Sequence, residues 1–181
     1  GYEEAKERLD TVFKVMIAKL AREDEERCRQ VINRHNVIVK AHYLYERGRK
    51  IALSELTDFV RHANDPALGH GLVNLLQGLC CELEEDSSEA LREYEIALEC
   101  SDQALMELVL RQILFIAKAN EDYTLSLQAL ECLEGFSKTY LKYYAEVLLQ
   151  VGSVREALGK LADYHEEFPE DVDNLVRIID I

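Results

Sequence analysis

Apolar side chains recur along most of this chain at steps of three and four residues, which is the period of an α-helix packed on one side. Between residues 141 and 169 two such stripes lie on either side of Gly152. The stripes consist of Leu141, Tyr144, Ala145 and Leu148, and then of Val154, Ala157, Leu158, Leu161 and Tyr164. Gly152 favours the end of one helix, Ser153 is a good N-cap for the next, and Pro169 cannot continue it. The pattern predicts a pair of antiparallel helices, a helical hairpin.

The same succession of helix pattern, turn and helix pattern predicts four hairpins in all. They cover about residues 36–63, 66–100, 102–136 and 137–169, and a terminal helix follows at 171–181. Residues 1–35 predict additional N-terminal amphipathic helices. The apolar face of the first of these carries Leu9, Val12, Phe13, Met16, Ile17 and Leu20. Turns are expected at Gly48 and at residues 120–122, and no part of the chain shows the alternation of a strand.

Two of these hairpins resemble the tetratricopeptide repeat, a family of helical hairpins with small residues where the helices cross. In the fourth hairpin the residues at the family's spacing are Ala145, Ala157 and Pro169, and in the second they are Gly78, Ala90, Tyr94 and Ala97. The anchor positions Ala52, Ala90, Leu125 and Ala157 are 38, 35 and 32 residues apart, against a family period of about 34. The resemblance implies an all-α fold, a right-handed superhelix (α-solenoid) of about four divergent hairpins.

The other two hairpins match the family less closely. In the first, Ala52, Leu56 and Phe59 reproduce the apolar spacing of the second helix, but the register of the first helix is ambiguous. In the third, Leu125 stands where the family prefers Ala. A locally altered helix crossing is the expected consequence.

Charge is distributed unevenly along the chain. The net charge is −14, and residues 1–50 carry 12 Lys and Arg against 9 Asp and Glu, so the excess of acid lies entirely in the remainder. An acidic repeat region repels a phosphate backbone, so no nucleic acid is expected as a direct partner. No apolar run is long enough to span a membrane, so no membrane partner is expected either.

The cysteines favour a reducing compartment. Five occur, at 28, 80, 81, 100 and 132, an odd number without the spacing of a metal site, and we expect all five to be free thiols in the cytoplasm or nucleus. The chain begins at Gly1 without Met and ends inside an apolar pattern, as expected of a piece of a longer protein.

No catalytic constellation is recognisable. The five His residues are scattered without a His-Glu-x-x-His or Cys-x-x-Cys partner, and the acidic run around residues 82–93 is best explained as a solvated face. We therefore expect no enzyme activity, no catalytic residue, no metal and no cofactor.

The resemblance places ligand binding in a concave groove lined by the first helix of each hairpin. Carried over to this chain, the partner-binding positions are Val37, Ala41, Leu44, Tyr45, Leu72, Leu75, Leu79, Leu110, Leu114, Lys118, Lys142 and Glu146. The leucines of the second hairpin stand where co-chaperone repeats hold a peptide carboxylate with basic residues, so that carboxylate clamp is absent.

Two functions are compatible with such a groove. The first is a non-catalytic protein-binding scaffold or adaptor of a larger intracellular complex, with an amphipathic partner helix or an extended peptide in the apolar groove. The alternative is a structural spacer or oligomerisation segment, capable of self-association, whose groove is filled by its own residues 9–20.

Overall fold

The computed structural model of this chain describes residues 25–63, 68, 70–100 and 103–171, and every regular element in them is an α-helix. These helices are α1 (Glu25–Glu46), α2 (Lys50–Ala63), α3 (His70–Leu83), α4 (Ser87–Cys100), α5 (Gln103–Ala119), α6 (Tyr123–Glu134), α7 (Tyr140–Gln150) and α8 (Val154–Glu167). The prediction of an all-α fold is confirmed for this part of the chain. The predicted helix in residues 2–23 and residues 172–181 of the terminal helix lie outside the described residues.

The chain divides into two compact units, Gly1–Ser101 and Asp102–Ile181. The division falls between the second and third predicted hairpins. Helices α1 to α4 belong to the first unit and α5 to α8 to the second. Helix α1 is continuous across residues 35 and 36, the predicted start of the repeat region.

One turn geometry recurs in all four helix pairs. Its central residue has a positive φ, and the next N–H bonds to the carbonyl five residues back, as in a Schellman motif. The central residues are Gly48, Glu85, Glu121 and Gly152, and the hydrogen bonds are Arg49 N to Leu44 O, Asp86 N to Cys81 O, Asp122 N to Ala117 O and Ser153 N to Leu148 O, at 2.8–3.0 Å. The turns predicted at 48, 120–122 and 152 are present.

Side-chain caps complete two of these turns. Asp86 Oδ1 accepts the Glu89 N–H and Asp122 Oδ1 accepts the Leu125 N–H, each at 3.0 Å. These bonds satisfy an N–H that has no partner inside its own helix. Ser153 stands at the predicted N-cap position of α8, but its side chain makes no capping hydrogen bond.

In the first unit, α3 is the central helix. It packs on α1, α2 and α4, while α2 packs on its neighbours in sequence, α1 and α3. The packing of three helices on α3 agrees with the spread of buried residues around it, which include Leu72, Leu75, Leu76, Leu79, Cys80 and Cys81. Helices α3 and α4 approach closely because Gly78 faces the buried ring of Tyr94. A Cβ at position 78 would overlap that ring.

In the second unit each helix packs on the next in the chain, α5 on α6, α6 on α7 and α7 on α8. The α7–α8 core consists of Ala145, Leu148, Ala157 and Leu161, with Leu127, Tyr144 and Leu149 packed against it. The small residues predicted at 145 and 157 are therefore buried at the helix crossing.

The first hairpin departs from the predicted spacing. The buried face of α2 consists of Leu53, Leu56, Thr57 and Val60. Ala52 is half-buried and Phe59 is 67 % exposed, so of the three residues at the repeat's spacing only Leu56 lies on the buried face. Thr57 occupies the core because its hydroxyl donates to the Leu53 carbonyl at 2.8 Å, which satisfies the buried oxygen.

Candidate protein-binding surface

The leucines of the second and third hairpins that were predicted to face a partner are all buried within this chain. Leu72, Leu75 and Leu79 lie on α3, and Leu110 and Leu114 lie on α5, each with less than a tenth of its surface exposed. Replacing Leu75 by Glu would bury a carboxylate without a partner, which destabilises a fold. That substitution therefore tests stability rather than binding, and partner contact by these leucines stays a prediction.

The first-hairpin positions are also largely internal. Ala41 and Leu44 are buried, and Val37 is half-buried. Tyr45 turns its hydroxyl inward and donates to Glu82 Oε2 at 2.5 Å. The Tyr45 hydrogen bond joins α1 to α3.

Glu82 is the polar centre of the first unit. Its second carboxylate oxygen accepts a hydrogen bond from the hydroxyl of Tyr94, so α1, α3 and α4 meet at one carboxyl group. Burial raises the pKa of Glu82 above its ordinary value, and the hydrogen bonds from the two tyrosines oppose that rise. Burial, followed by the charge of Glu82, raises the pKa of Tyr94 far above its ordinary value. The two hydroxyls therefore stay protonated and act as donors.

The predicted positions of the third and fourth hairpins lie at the surface. Lys118 is exposed, and Lys142 and Glu146 are half-buried. The Lys118 ammonium lies over the ring of Tyr143, 5.0 Å from its centroid. Lys142 bonds to Asp171 Oδ2 at 2.9 Å. Sequence reasoning assigned both lysines to one groove, and each of them contacts an aromatic or acidic neighbour that the sequence did not identify.

A stripe of exposed side chains along α5 extends this surface. Arg111, Phe115 and Lys118 follow one another at helical spacing, and all three are exposed. Phe115 is 59 % exposed and Tyr143, beside Lys118, is 47 % exposed. In the described residues neither Arg111 nor Lys118 has a carboxylate partner within salt-bridge distance, although Lys138, Lys142 and Lys160 each have one. The aromatic–basic face is the set Arg111, Phe115, Lys118, Tyr140 and Tyr143.

A hydrogen bond fixes the other tyrosine of this face. Tyr140 on α7 donates to Glu107 Oε1 on α5 at 2.8 Å. Burial, followed by the hydrogen bond to Glu107, raises the pKa of the Tyr140 hydroxyl to about 12. At neutral pH the hydroxyl is therefore uncharged and acts as a donor, so it does not neutralise the charge of Arg111 or Lys118. Arg111 and Lys118 are therefore available to an incoming carboxylate.

The helical spacing of residues 111, 115 and 118 could have revealed this surface. It was missed because the family resemblance directs attention to the leucines at 110 and 114. Tyr140 and Tyr143 gave no signal, because a tyrosine at helical spacing is ordinarily part of the core. Their exposure depends on how α5 and α7 lie relative to each other.

The described residues offer little for other chemistry. No three or more His, Cys, Asp or Glu side chains in them are placed to hold a metal ion. Cys80, Cys81 and Cys132 are free thiols, in agreement with the prediction, and the side chains of Cys28 and Cys100 lie outside the described set. Within the same residues, none of the helices has the length and apolar character needed to cross a bilayer.

In the comparisons with known proteins, no family model, no curated protein and no solved structure matches this chain.

Proposed function

We propose that this chain is a non-catalytic protein-binding scaffold, part of a larger assembly in the cytoplasm or nucleus, and that it binds a partner on the aromatic–basic face. The observation that carries the proposal is the exposure of Phe115 and Tyr143 beside two cations that have no carboxylate partner among the described residues. Exposed aromatics next to Arg are the composition of protein interfaces. The free thiols of the described cysteines support a reducing compartment.

A tetratricopeptide-like architecture supports the scaffold role. Gly78 and Tyr94 lie sixteen residues apart and in contact, and Ala145 and Leu161 share the same spacing in one core. The recurring turn and the packing of successive helices within each unit are also properties of helical repeats. Such repeats function mainly through their surfaces. The proposed arrangement is a right-handed superhelix of about four hairpins.

The partner is an amphipathic helix or an extended peptide with carboxylates beside an apolar residue. Arg111 and Lys118 are seven residues apart on α5, which separates their Cα atoms by roughly 10 Å. Phe115 lies between them and offers apolar surface. An acidic residue near each cation and an apolar residue over Phe115 would satisfy all three side chains.

The structural spacer remains the second candidate, because one observation favours it. The leucines of the predicted groove are buried in the chain itself, so no partner is needed to cover them. Residues 9–20, predicted to fill the groove, lie outside the described residues. A spacer of this kind would need no exposed binding surface, so the two candidates make different predictions for the aromatic–basic face.

Matched substitutions test the proposal. Tyr143→Ser and Phe115→Ser remove the exposed aromatics, and Tyr123→Ser removes another exposed tyrosine of the second unit as the control. Proteins captured from cells by each tagged variant are compared quantitatively with those captured by the wild type. We expect the two face variants to lose the same bound proteins and Tyr123→Ser to retain them, because burying one such ring contributes roughly 1.5–3 kcal/mol.

Circular dichroism and thermal unfolding verify that the variants fold, as substitutions at exposed positions should permit. Identical captured sets for all four proteins would reject the face as the binding surface. If the wild type captures nothing above background and is a stable monomer, the spacer is the better explanation.

A further inference from the structure

The first unit presents an exposed apolar surface that the proposed function does not use. On α2, Ile51 is 78 % exposed and Phe59 is 67 % exposed, more than any other large apolar side chain in the described residues. Both lie opposite the buried face of the helix, with exposed Glu55 and Asp58 between them. The α2 stripe is the set Ile51, Glu55, Asp58 and Phe59. Only α1 and α3 pack on α2 among the described helices.

We infer that the α2 stripe is a second docking surface, and that its occupant is a basic amphipathic helix of another protein. Ile51 and Phe59 are eight residues apart, or roughly 12 Å along the helix axis. Two apolar residues about seven positions apart on a partner helix match that separation. Each would cover a side chain that is now in contact with water.

Charge determines the choice of occupant. Glu55 has no hydrogen-bond or ion-pair partner in the described residues, and Asp58 is held only by an exposed contact with Arg61, at 3.2 Å. A Lys or Arg between the two apolar residues of the partner would meet both carboxylates. The net charge of −14 also attracts basic partners over a distance.

A second copy of this chain fits the stripe poorly. A twofold dimer that pairs Ile51 of one copy with Phe59 of the other places position 55 at the symmetry axis, so the two Glu55 carboxylates would approach each other. Like charges in an interface oppose association. A partner of opposite charge avoids this repulsion.

Two synthetic helical peptides of equal length test the inference with the full chain. Both carry leucines seven residues apart, and the residues between them on the same face are Lys in one peptide and Glu in the other. Fluorescence anisotropy measures Kd at low and high salt. We expect the Lys peptide to bind roughly tenfold more tightly, because the exposed carboxylates of the stripe attract its lysines and repel the glutamates of the other peptide. Salt should reduce the difference.

Variants at exposed positions locate the binding. Glu55→Lys should reverse the preference between the peptides, and Phe59→Ser should weaken the Lys peptide roughly tenfold or more. Glu95→Lys makes the same charge change at an exposed site on α4 and should leave both Kd values unchanged.

Four results would overturn the inference. The first is equal binding of the two peptides, and the second is a preference that Glu55→Lys does not alter. The third is self-association of the wild type that Phe59→Ser abolishes, which would make the occupant a second copy. Loss of peptide binding in Phe115→Ser with normal binding in Phe59→Ser would also reject it, and would assign the peptide to the aromatic–basic face. Failure of the proposed function is detected separately, by the captured proteins of Tyr143→Ser.

Discussion

The α3–α4 and α7–α8 hairpins use different pairs of residues where their two helices pack against each other. In α3–α4 the buried ring of Tyr94 faces Gly78, and in α7–α8 the buried Leu161 shares a core with Ala145. The two pairs have the same separation in sequence. A large side chain requires a residue without Cβ on the facing helix, whereas a smaller one leaves room for a methyl group. The sum of the two sizes therefore sets how closely the helices approach.

The choice of residue has consequences beyond volume. Tyr94 brings a hydroxyl into the core, and Glu82 accepts a hydrogen bond from it, whereas Leu161 needs no polar partner. The position of glycine differs as well. In α3–α4 the glycine lies within the helix and Glu85 takes the positive φ of the turn, but in α7–α8 Gly152 forms the turn. The α3–α4 hairpin thus has a glycine in contact with the facing helix and a strained turn residue, whereas the helical glycine of α7–α8, Gly159, has open space around it.

The largest effect is expected from Gly78→Ala. The new methyl group would overlap the Tyr94 ring, which is fully buried and held at its hydroxyl. Overpacking costs about 1–3 kcal/mol, and the better helix propensity of Ala offsets about 0.5–1 kcal/mol of that. Urea unfolding should show a net loss of roughly 1–2 kcal/mol. Gly159→Ala on α8 is the control, because nothing lies within 4 Å of its new Cβ, and it should be stabilising.

A double substitution tests the comparison itself. In the background Tyr94→Leu, which imitates Leu161 of the other hairpin, Gly78→Ala should cost nothing or stabilise. The coupling energy between the two sites should be on the order of 1–3 kcal/mol. Strictly additive effects would show that the ring and the glycine do not determine each other.

Helix periodicity was sufficient to predict the all-α class, the turns at 48, 120–122 and 152, and the small buried residues of the second and fourth hairpins. Periodicity did not predict the buried face of α2, where Phe59 is exposed and Thr57 is buried. Thr57 can lie in the core because its hydroxyl bonds to a carbonyl of its own helix. The turns centred on Glu85 and Glu121 have the same geometry as the turn at Gly48. Their residue types do not indicate this, because Glu seldom takes a positive φ.

The candidate surface was predicted less completely than the fold. Lys118, Lys142 and Glu146 do lie at the surface, but the leucines assigned with them are buried. Apolar spacing identifies residues that must be covered, and it does not say whether another helix of the same chain or a partner covers them. Exposure of Phe115 and Tyr143 depends on helix placement, which no local pattern contains.

A smaller effect is expected from Glu82→Gln, which changes the hydrogen-bond partner of the Tyr94 hydroxyl and leaves the ring unchanged. Burial raises the pKa of Glu82 in the folded chain above its ordinary 4.5, so the folded state binds the proton more tightly than the unfolded state. The stability from this group is complete below pH 4.5 and is lost as the pH rises through the folded pKa. Gln keeps an amide that can pair with both hydroxyls, so at pH 7 the net change should be within about 1 kcal/mol.

The measurement is the free energy of urea unfolding for both proteins from pH 4 to pH 7. Wild type should lose stability relative to Glu82→Gln as the pH rises. Parallel curves would show that the carboxyl is not desolvated in the folded chain.

The smallest effects are expected at the turns. Substitutions at the equivalent positions 85 and 152 should change the free energy of unfolding in opposite directions. Glu85 has φ +62° and is exposed, so Glu85→Gly removes backbone strain and no contact with another side chain. A left-handed conformation costs an L-residue about 1 kcal/mol or more, and the greater flexibility of unfolded Gly cancels part of the gain. The expected result is a stabilisation of roughly 0.5 kcal/mol.

Gly152→Ala places a side chain at φ +80° and should destabilise by about the same amount or more. Because no atom lies within 4 Å of a Cβ at position 152, steric contact cannot account for that loss. Unfolding curves that shift in the same direction for both substitutions would mean that φ is not what distinguishes the two turns.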